Sequence, residues 1–254
     1  DVNGQGVHIW GVNLADSIYY RKEEKKVSTI YKENIWNLIP GKLKYVSVNN
    51  DGKHIWGVNS NDQIYYRAGA NGSWRQIPGG LKQIDVSGDG NHIWGVNSGN
   101  NIYHRAGVNG SWRKIPGRLK HVSVNNNGTH VWGVNKNDQI YHRSGVNGSW
   151  DKISGGLKQV DVNGDGNHVW GVNSNDQIFY RNGVSGSWQP ISGRLKHVSV
   201  SSNGNHIWGV NSANNIFHRV GKDGNWKSIP GGLKQIDVNG QGVHIWGVNL
   251  ADSI

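Results

Sequence analysis

The chain has 254 residues with no cysteine and no methionine, and its 27 Lys and Arg against 17 Asp and Glu leave a net charge of +10. The lack of cysteine excludes thiol catalysis, thiolate metal sites and disulfide staples, so packing and closure must hold the fold. No apolar run long enough to cross a bilayer and no charged-then-apolar leader is visible, so neither membrane insertion nor an export signal is expected. The basic residues are spread along the chain, which favours anionic partners such as acidic or phosphorylated glycans, lipopolysaccharide or nucleic acid, or else serves solubility alone. Thirteen Trp, 9 Tyr and 38 Gly with few helix formers point to many short strands and tight turns.

In chain order, residues 1–18 come first, and the same eighteen letters return as 237–254. They read as a second copy of the C-terminal segment. Residues 22–34 follow, a stretch outside any repeat that opens with Lys22-Glu23-Glu24-Lys25-Lys26 and reads as a solvated loop. The phrase His-[Ile/Val]-Trp-Gly-Val-Asn recurs seven times, with its glycine at Gly11, Gly57, Gly95, Gly133, Gly171, Gly209 and Gly247. After a first interval of 46 residues every step is 38, a period that fits one four-stranded sheet. The chain travels once around six such units and then begins the first again. A single β-propeller domain over 1–254 is expected.

Residues 81–115 show one unit. Leu81-Lys-Gln-Ile-Asp-Val86 is strand one, and Ser87-Gly-Asp-Gly90 is a turn. His92-Ile-Trp-Gly-Val-Asn97 is strand two, Ile102-Tyr-His-Arg105 is strand three, and Asn109-Gly110 is a hairpin signal before strand four at Trp112. Alternation puts Trp94 and its equivalents between blades, and Gly95 where an adjacent sheet comes close. The repeated His belongs to different blades and has no second ligand at metal spacing, so no metal is expected.

A second Trp series opens strand four at Trp36, Trp74, Trp112, Trp150, Trp188 and Trp226. Each faces a strand-three Arg suited to cation–π stacking. The pair is either a buttress for the outer strands or an aromatic face for a sugar ring. Strand one alternates Ser47, Asp85, Ser123, Asp161, Ser199, Asp237, and two places earlier Tyr45, Gln83, His121, Gln159, His197, Gln235. That 76-residue superperiod implies three sites of one type or two sets of three.

The run Ile-Pro-Gly-Gly-Leu-Lys-Gln-Ile-Asp-Val followed by His-Ile-Trp-Gly-Val-Asn-Ser-Asn-Asp-Gln-Ile-Tyr-Tyr-Arg closely resembles the tectonin repeat, over nearly the whole chain except about 22–34. The resemblance implies a six-bladed propeller that binds glycans, with lipopolysaccharide, N-acetylglucosamine-type or O-methylated sugars among the ligands and a role in innate defence or agglutination. It also implies a secreted or granule-stored protein, although the absence of cysteine leaves a cytosolic lectin open. Sequons at Asn71, Asn109, Asn127 and Asn147 are read as turns before glycosylation acceptors.

The expected fold is therefore all-β: a six-bladed propeller with four antiparallel strands per blade, closed by mixing N- and C-terminal strands, one duplicate being left out of the ring. Every promising Asp, His and Ser is repeated, which argues for multivalent binding and against an enzyme; no cofactor is expected. The expected function is a multivalent lectin for microbial or cell-surface glycans, the alternative being a protein-interaction scaffold; nucleic acid is disfavoured because the lysines recur by blade instead of lining one groove. The candidate glycan contacts, one set per blade, are Asn59, Asp62, Arg67 and Trp74; Asn97, Asn100, Arg105 and Trp112; Asn135, Asp138, Arg143 and Trp150; Asn173, Asp176, Arg181 and Trp188; and Asn211, Asn214, Arg219 and Trp226.

Overall fold

The structure, a computed structural model, describes the backbone of residues 7–13 and 17–23 and the whole of 36–254. Strands β1 (Val7–Asn13) and β2 (Ser17–Glu23) form an antiparallel hairpin. The first blade is β3 (Tyr45–Val48), β4 (His54–Val58), β5 (Gln63–Ala68) and β6 (Arg75–Gly80). The second is β7 (Gln83–Val86), β8 (His92–Val96), β9 (Asn101–Ala106) and β10 (Trp112–Arg118). The third is β11 (His121–Val124), β12 (His130–Val134), β13 (Gln139–Ser144) and β14 (Trp150–Gly156). The fourth is β15 (Gln159–Val162), β16 (His168–Val172), β17 (Gln177–Asn182) and β18 (Gln189–Arg194). The fifth is β19 (His197–Val200), β20 (His206–Val210), β21 (Asn215–Val220) and β22 (Lys227–Gly232), and β23 (Gln235–Asn239) and β24 (His244–Val248) follow.

The expectation of six antiparallel blades is corrected to five. Five sheets are continuous, four-stranded and antiparallel, whereas the remaining sheet has the order β2-β1-β24-β23 and pairs β1 with β24 in parallel over two residue pairs. The duplication supplies the reason. Both β1 and β24 are copies of strand two, and a blade needs strand three, running antiparallel, at that place. The C-terminal copy takes the ring position: β23 and β24 pack on β3, Ile39 N donates to Ile254 O at 3.1 Å, and Lys42 bridges to Ser253. Of the non-repeat segment 22–34, Lys22 and Glu23 end β2 instead of opening a loop, and residues 24–34 lie outside the described residues.

Between blades lie the apolar cores. Trp56, Val58, Ile64 and Ile77 of the first blade pack on Leu81, Ile84, Val86 and Ile93 of the second, and the pattern repeats around the ring. Trp56, Trp94, Trp132 and Trp170 are buried and serve as core, not as platforms. The motif glycine has a different reason from the one expected. A Cβ on Gly57 would stand 2.3 Å from Leu43 Cδ1 and 2.9 Å from Tyr45 O, so the close approach comes from strand one of its own blade.

The strand-one superperiod is a clamp around the axis. Gln83 forms a two-way amide bridge to the next blade, Nε2 donating to Val122 O at 2.9 Å and Oε1 accepting from Val122 N at 3.0 Å; Gln159 and Gln235 do the same with Val198 and Val46. Tyr45, His121 and His197 fill the axis, the Tyr45 hydroxyl lying 3.0 and 3.2 Å from the two Nε2 atoms. Alternate blades thus reach across with a side chain where neighbouring strands one do not pair.

Candidate functional site

One face of the ring carries the turns between strands two and three. In the first blade Asn59 Oδ1 accepts from Asn61 N at 3.1 Å and Gln63 N at 2.9 Å, and Asp62 closes the turn at a φ of 63°. Asn and Asp tolerate that left-handed conformation better than most residues, which explains why the position is Asp62, Asn100, Asp138, Asp176 or Asn214. The Asp62 carboxylate then joins two blades: Lys44 of its own blade and Ser98 of the next both bond to it. Burial works to raise this carboxyl, but the bonds from Lys44 and Ser98 outweigh it and hold it below the ordinary range.

Arg67 and Trp74 lie at the other end of strand three. Five residues at about 3.3 Å each separate Asp62 from Arg67, roughly 16 Å. The structure therefore does not gather the four expected residues of one blade at a single point. Arg67 is buried; its Nε donates to Gly69 O at 3.1 Å, Nη2 donates to Ala70 O, and the guanidinium lies 5.6 Å from the centre of the Trp74 ring. Arg105, Arg143, Arg181 and Arg219 stack on Trp112, Trp150, Trp188 and Trp226 at 5.5–5.7 Å. Burial pulls each of these guanidinium groups below its ordinary value, as expected for a cation taken partly out of water.

Across a blade boundary the strand-four Trp has a second partner. Trp112 Nε1 donates to Pro78 O of the preceding blade at 2.9 Å, and a Cβ on Gly79 would lie 3.1 Å from that nitrogen. Gly79 has a φ of 120°, a backbone state that suits glycine. Gly80 comes next and pairs with Gln63, the neighbour of Asp62. The bulge at 78–80 thus links the half-buried indole of Trp112 to the Asp62 turn of the preceding blade. Trp74, Trp150, Trp188 and Trp226 donate in the same way to Pro40, Pro116, Ser154 and Ser192 at 2.9 Å. The repeated groove is an inter-blade feature.

Two parts of this groove were not singled out from the sequence, the Lys-to-Asp pairs 18 residues apart and the Pro/Ser-Gly bulge. Both spacings are constant along the chain, and that constancy was the available signal. On the opposite face, Asn71, Asn109 and Asn147 are exposed at the tips of the turns between strands three and four. Asn127 sits in a turn between strands one and two, where Thr129 Oγ1 donates to its Oδ1 at 2.6 Å. Among the described residues no three His, Asp or Glu side chains are grouped to hold a metal ion.

These features define a β-propeller built from tandem repeats. The chain belongs to the tectonin family: the Tectonin domain matches residues 1–111 and 91–254. A comparison with curated proteins gives no match. Among solved structures the chain is similar to the β-propeller domain of Cps50 (Swd1) from Myceliophteria thermophila, with a TM-score of 0.63, 9% identity, and coverage of 94% of this chain and 89% of that one. At that identity the likeness concerns the fold alone.

Proposed function

We propose that the protein is a multivalent carbohydrate-binding propeller, a lectin for glycans on microbial or cell surfaces, and that its sites are the inter-blade grooves. The observation that carries the reading is the recurrence of one groove: a half-buried indole beside a Pro/Ser-Gly bulge and a polar turn, in the same geometry at successive boundaries. An aromatic edge next to amide and carboxylate groups offers both the apolar surface and the hydrogen-bond partners that a sugar ring needs. Short, near-identical turns suit the same small ligand bound several times. Membership of the tectonin family supports the same class.

Arg67 and its equivalents act in this reading as supports for the indoles, and Asn59 with its equivalents as turn formers. A glycan array tests the proposal. Binding to a restricted set of immobilised glycans, with much weaker binding to the same sugars as free monomers, is the expected pattern. An array with no glycan above background would overturn it.

A further inference from the structure

The blade boundaries on the turn face are not all alike in charge. At the first boundary the Asp62 carboxylate lies between Lys44 of its own blade and Ser98 of the next. The third repeats the arrangement with Lys120, Asp138 and Ser174, and the fourth with Lys158, Asp176 and Ser212. Each of these lysines meets a carboxylate. The second boundary departs at two positions at once. Asn100 replaces the Asp, and Lys136 replaces the Ser of the next blade.

Lys82 Nζ accordingly donates to an amide oxygen, Asn100 Oδ1, at 2.5 Å. A second cation reaches the same turn, because Arg118 stands where the first and third blades have Gly80 and Gly156, and its Nη1 donates to Gly99 O at 3.0 Å. The fourth blade carries the matching Arg194, bonded to Asn175 O at 2.7 Å, but its turn holds Asp176. The second boundary alone among these four brings two bonded cations to a turn that supplies no carboxylate, with a third, Lys136, at the Ser position of the next blade. Burial pulls the half-buried Lys82 ammonium below its ordinary value; Lys120 and Lys44 add to this, and the Asp62 that opposes them is already held by Lys44 and Ser98. A partly desolvated cation without its own counter-ion favours an anion from outside.

We propose that the boundary between the second and third blades is an oxyanion site for a phosphate or sulfate group, free or carried as an ester on a sugar. Lys82 and Arg118 donate to the oxygens, and Lys136 covers the group from the next blade. The site stands on these side chains and does not require that the other grooves bind neutral sugars.

The test uses the whole chain, isotope-labelled, titrated with inorganic phosphate and with sulfate at constant ionic strength while backbone amides are followed by NMR. Saturable shifts confined to Gly99, Asn100 and Lys136 are expected. Two reciprocal variants keep both patterns within those the chain already folds. N100D/K136S gives this boundary the fourth boundary's set and should weaken binding by about tenfold or more, as expected for lost charge-assisted donors and an added repulsive charge. D176N/S212K gives the fourth boundary the second's set and should create a second saturable site near Asn175. Unchanged affinity in N100D/K136S, or small shifts spread over all lysines without saturation, overturns the proposal. A sugar 6-phosphate binding more tightly than inorganic phosphate assigns the group to a glycan, and equal affinity assigns it to the free ion; both outcomes keep the site. A negative glycan array together with positive phosphate shifts would sink the lectin reading alone.

Discussion

Ser47 donates its hydroxyl to the Asp85 carboxylate at 2.8 Å, and the two residues belong to neighbouring blades. Asp85 in turn accepts from Val124 N of the following blade at 2.7 Å, while Ser47 Oγ accepts from Val86 N at 3.1 Å. One Asp therefore joins three consecutive blades, and a neighbour with Ser is what it needs on one side. Two adjacent Asp blades would place carboxylate against carboxylate, so the alternation of Ser and Asp follows from the clamp. Its consequence is a small cavity on the axis, lined by Asp85, Asp161 and Asp237.

These three carboxylates make stability fall as pH rises. Burial, with Asp161 nearby, pushes the Asp237 carboxyl up to about 8 despite its bonds to Val48 N and the serines, and burial pushes Asp161 to about 6. The unfolded value is about 3.9. A folded pKa raised above the unfolded one means that the folded state holds the proton more tightly, so this contribution is complete below about pH 4 and is lost as pH climbs through the folded values. Asp237→Asn removes one charge from the trio. Its melting temperature should drop less than that of the parent between pH 5 and 9, by roughly 5 °C at the upper end. Parallel melting curves for the two proteins would refute the assignment.

Histidine pairs give the opposite slope at acid pH. His92 Nδ1 lies 3.1 Å from His104 Nε2, and His130 Nδ1 lies 3.0 Å from His142 Nε2. Burial first, then the facing histidine, lowers His104 and His142 to about 4; Arg113 adds to the effect at His104 and Asp151 opposes it at His142. With an unfolded value of about 6.5, the stability contributed by neutral His104 and His142 is present above that pH and is lost as pH falls towards 4. The first and fourth blades use Tyr66 and Tyr180 instead, bonded to His54 and His168 at 3.1 Å. The double variant His104→Tyr, His142→Tyr should copy that chemistry and keep its melting temperature at pH 4.5 when the parent loses several degrees.

Much of this ring was legible in the letters. The constant interval and the turn formers between alternating runs place the strands of all five blades, and the opposition of Arg105 to Trp112 appears as a cross-strand pair. The failures share one cause, that a repeat unit read by itself does not show what its neighbour contributes. Asn59, Asp62, Arg67 and Trp74 are near in sequence, yet the indole beside the Asp62 turn belongs to the next blade, as Trp112. The unit also hides the job of Asp62, whose lysine is 18 residues earlier and whose serine is 36 residues later. The closing sheet does mix the two chain ends, as β2-β1-β24-β23, but it is not the antiparallel blade expected, because the identical letters at 1–18 and 237–254 bring two copies of strand two side by side.

The bulge under each indole should be intolerant of side chains. Gly79→Ala would put a Cβ 3.1 Å from Trp112 Nε1 and 3.2 Å from Cδ1 at a φ of 120°. The backbone state alone costs on the order of 1–3 kcal/mol, and the indole must also move. Gly107→Ala makes a useful comparison, since no atom of the described residues lies within 4 Å of its Cβ position although its φ of 63° is also positive. Urea denaturation should show the larger loss for Gly79→Ala; equal losses would mean that the contact with Trp112 is unimportant.

Arg105 should behave as a support and Trp112 as both support and ligand surface. Arg105→Lys keeps the charge but loses the fork that donates to Val108 O at 2.7 Å and the flat stack on Trp112. Stability is expected to fall by about 1–3 kcal/mol, with adhesion of the folded protein to glycan-coated beads little changed. Trp112→Leu removes the indole edge and the bond to Pro78 O. Each boundary altered in this way should subtract one contact from an avidity on the order of 10²–10⁴, so variants changed at one, two and three boundaries should detach progressively faster while circular dichroism still reports the folded sheet. Detachment that does not change with the number of altered boundaries would place the sugar away from these indoles.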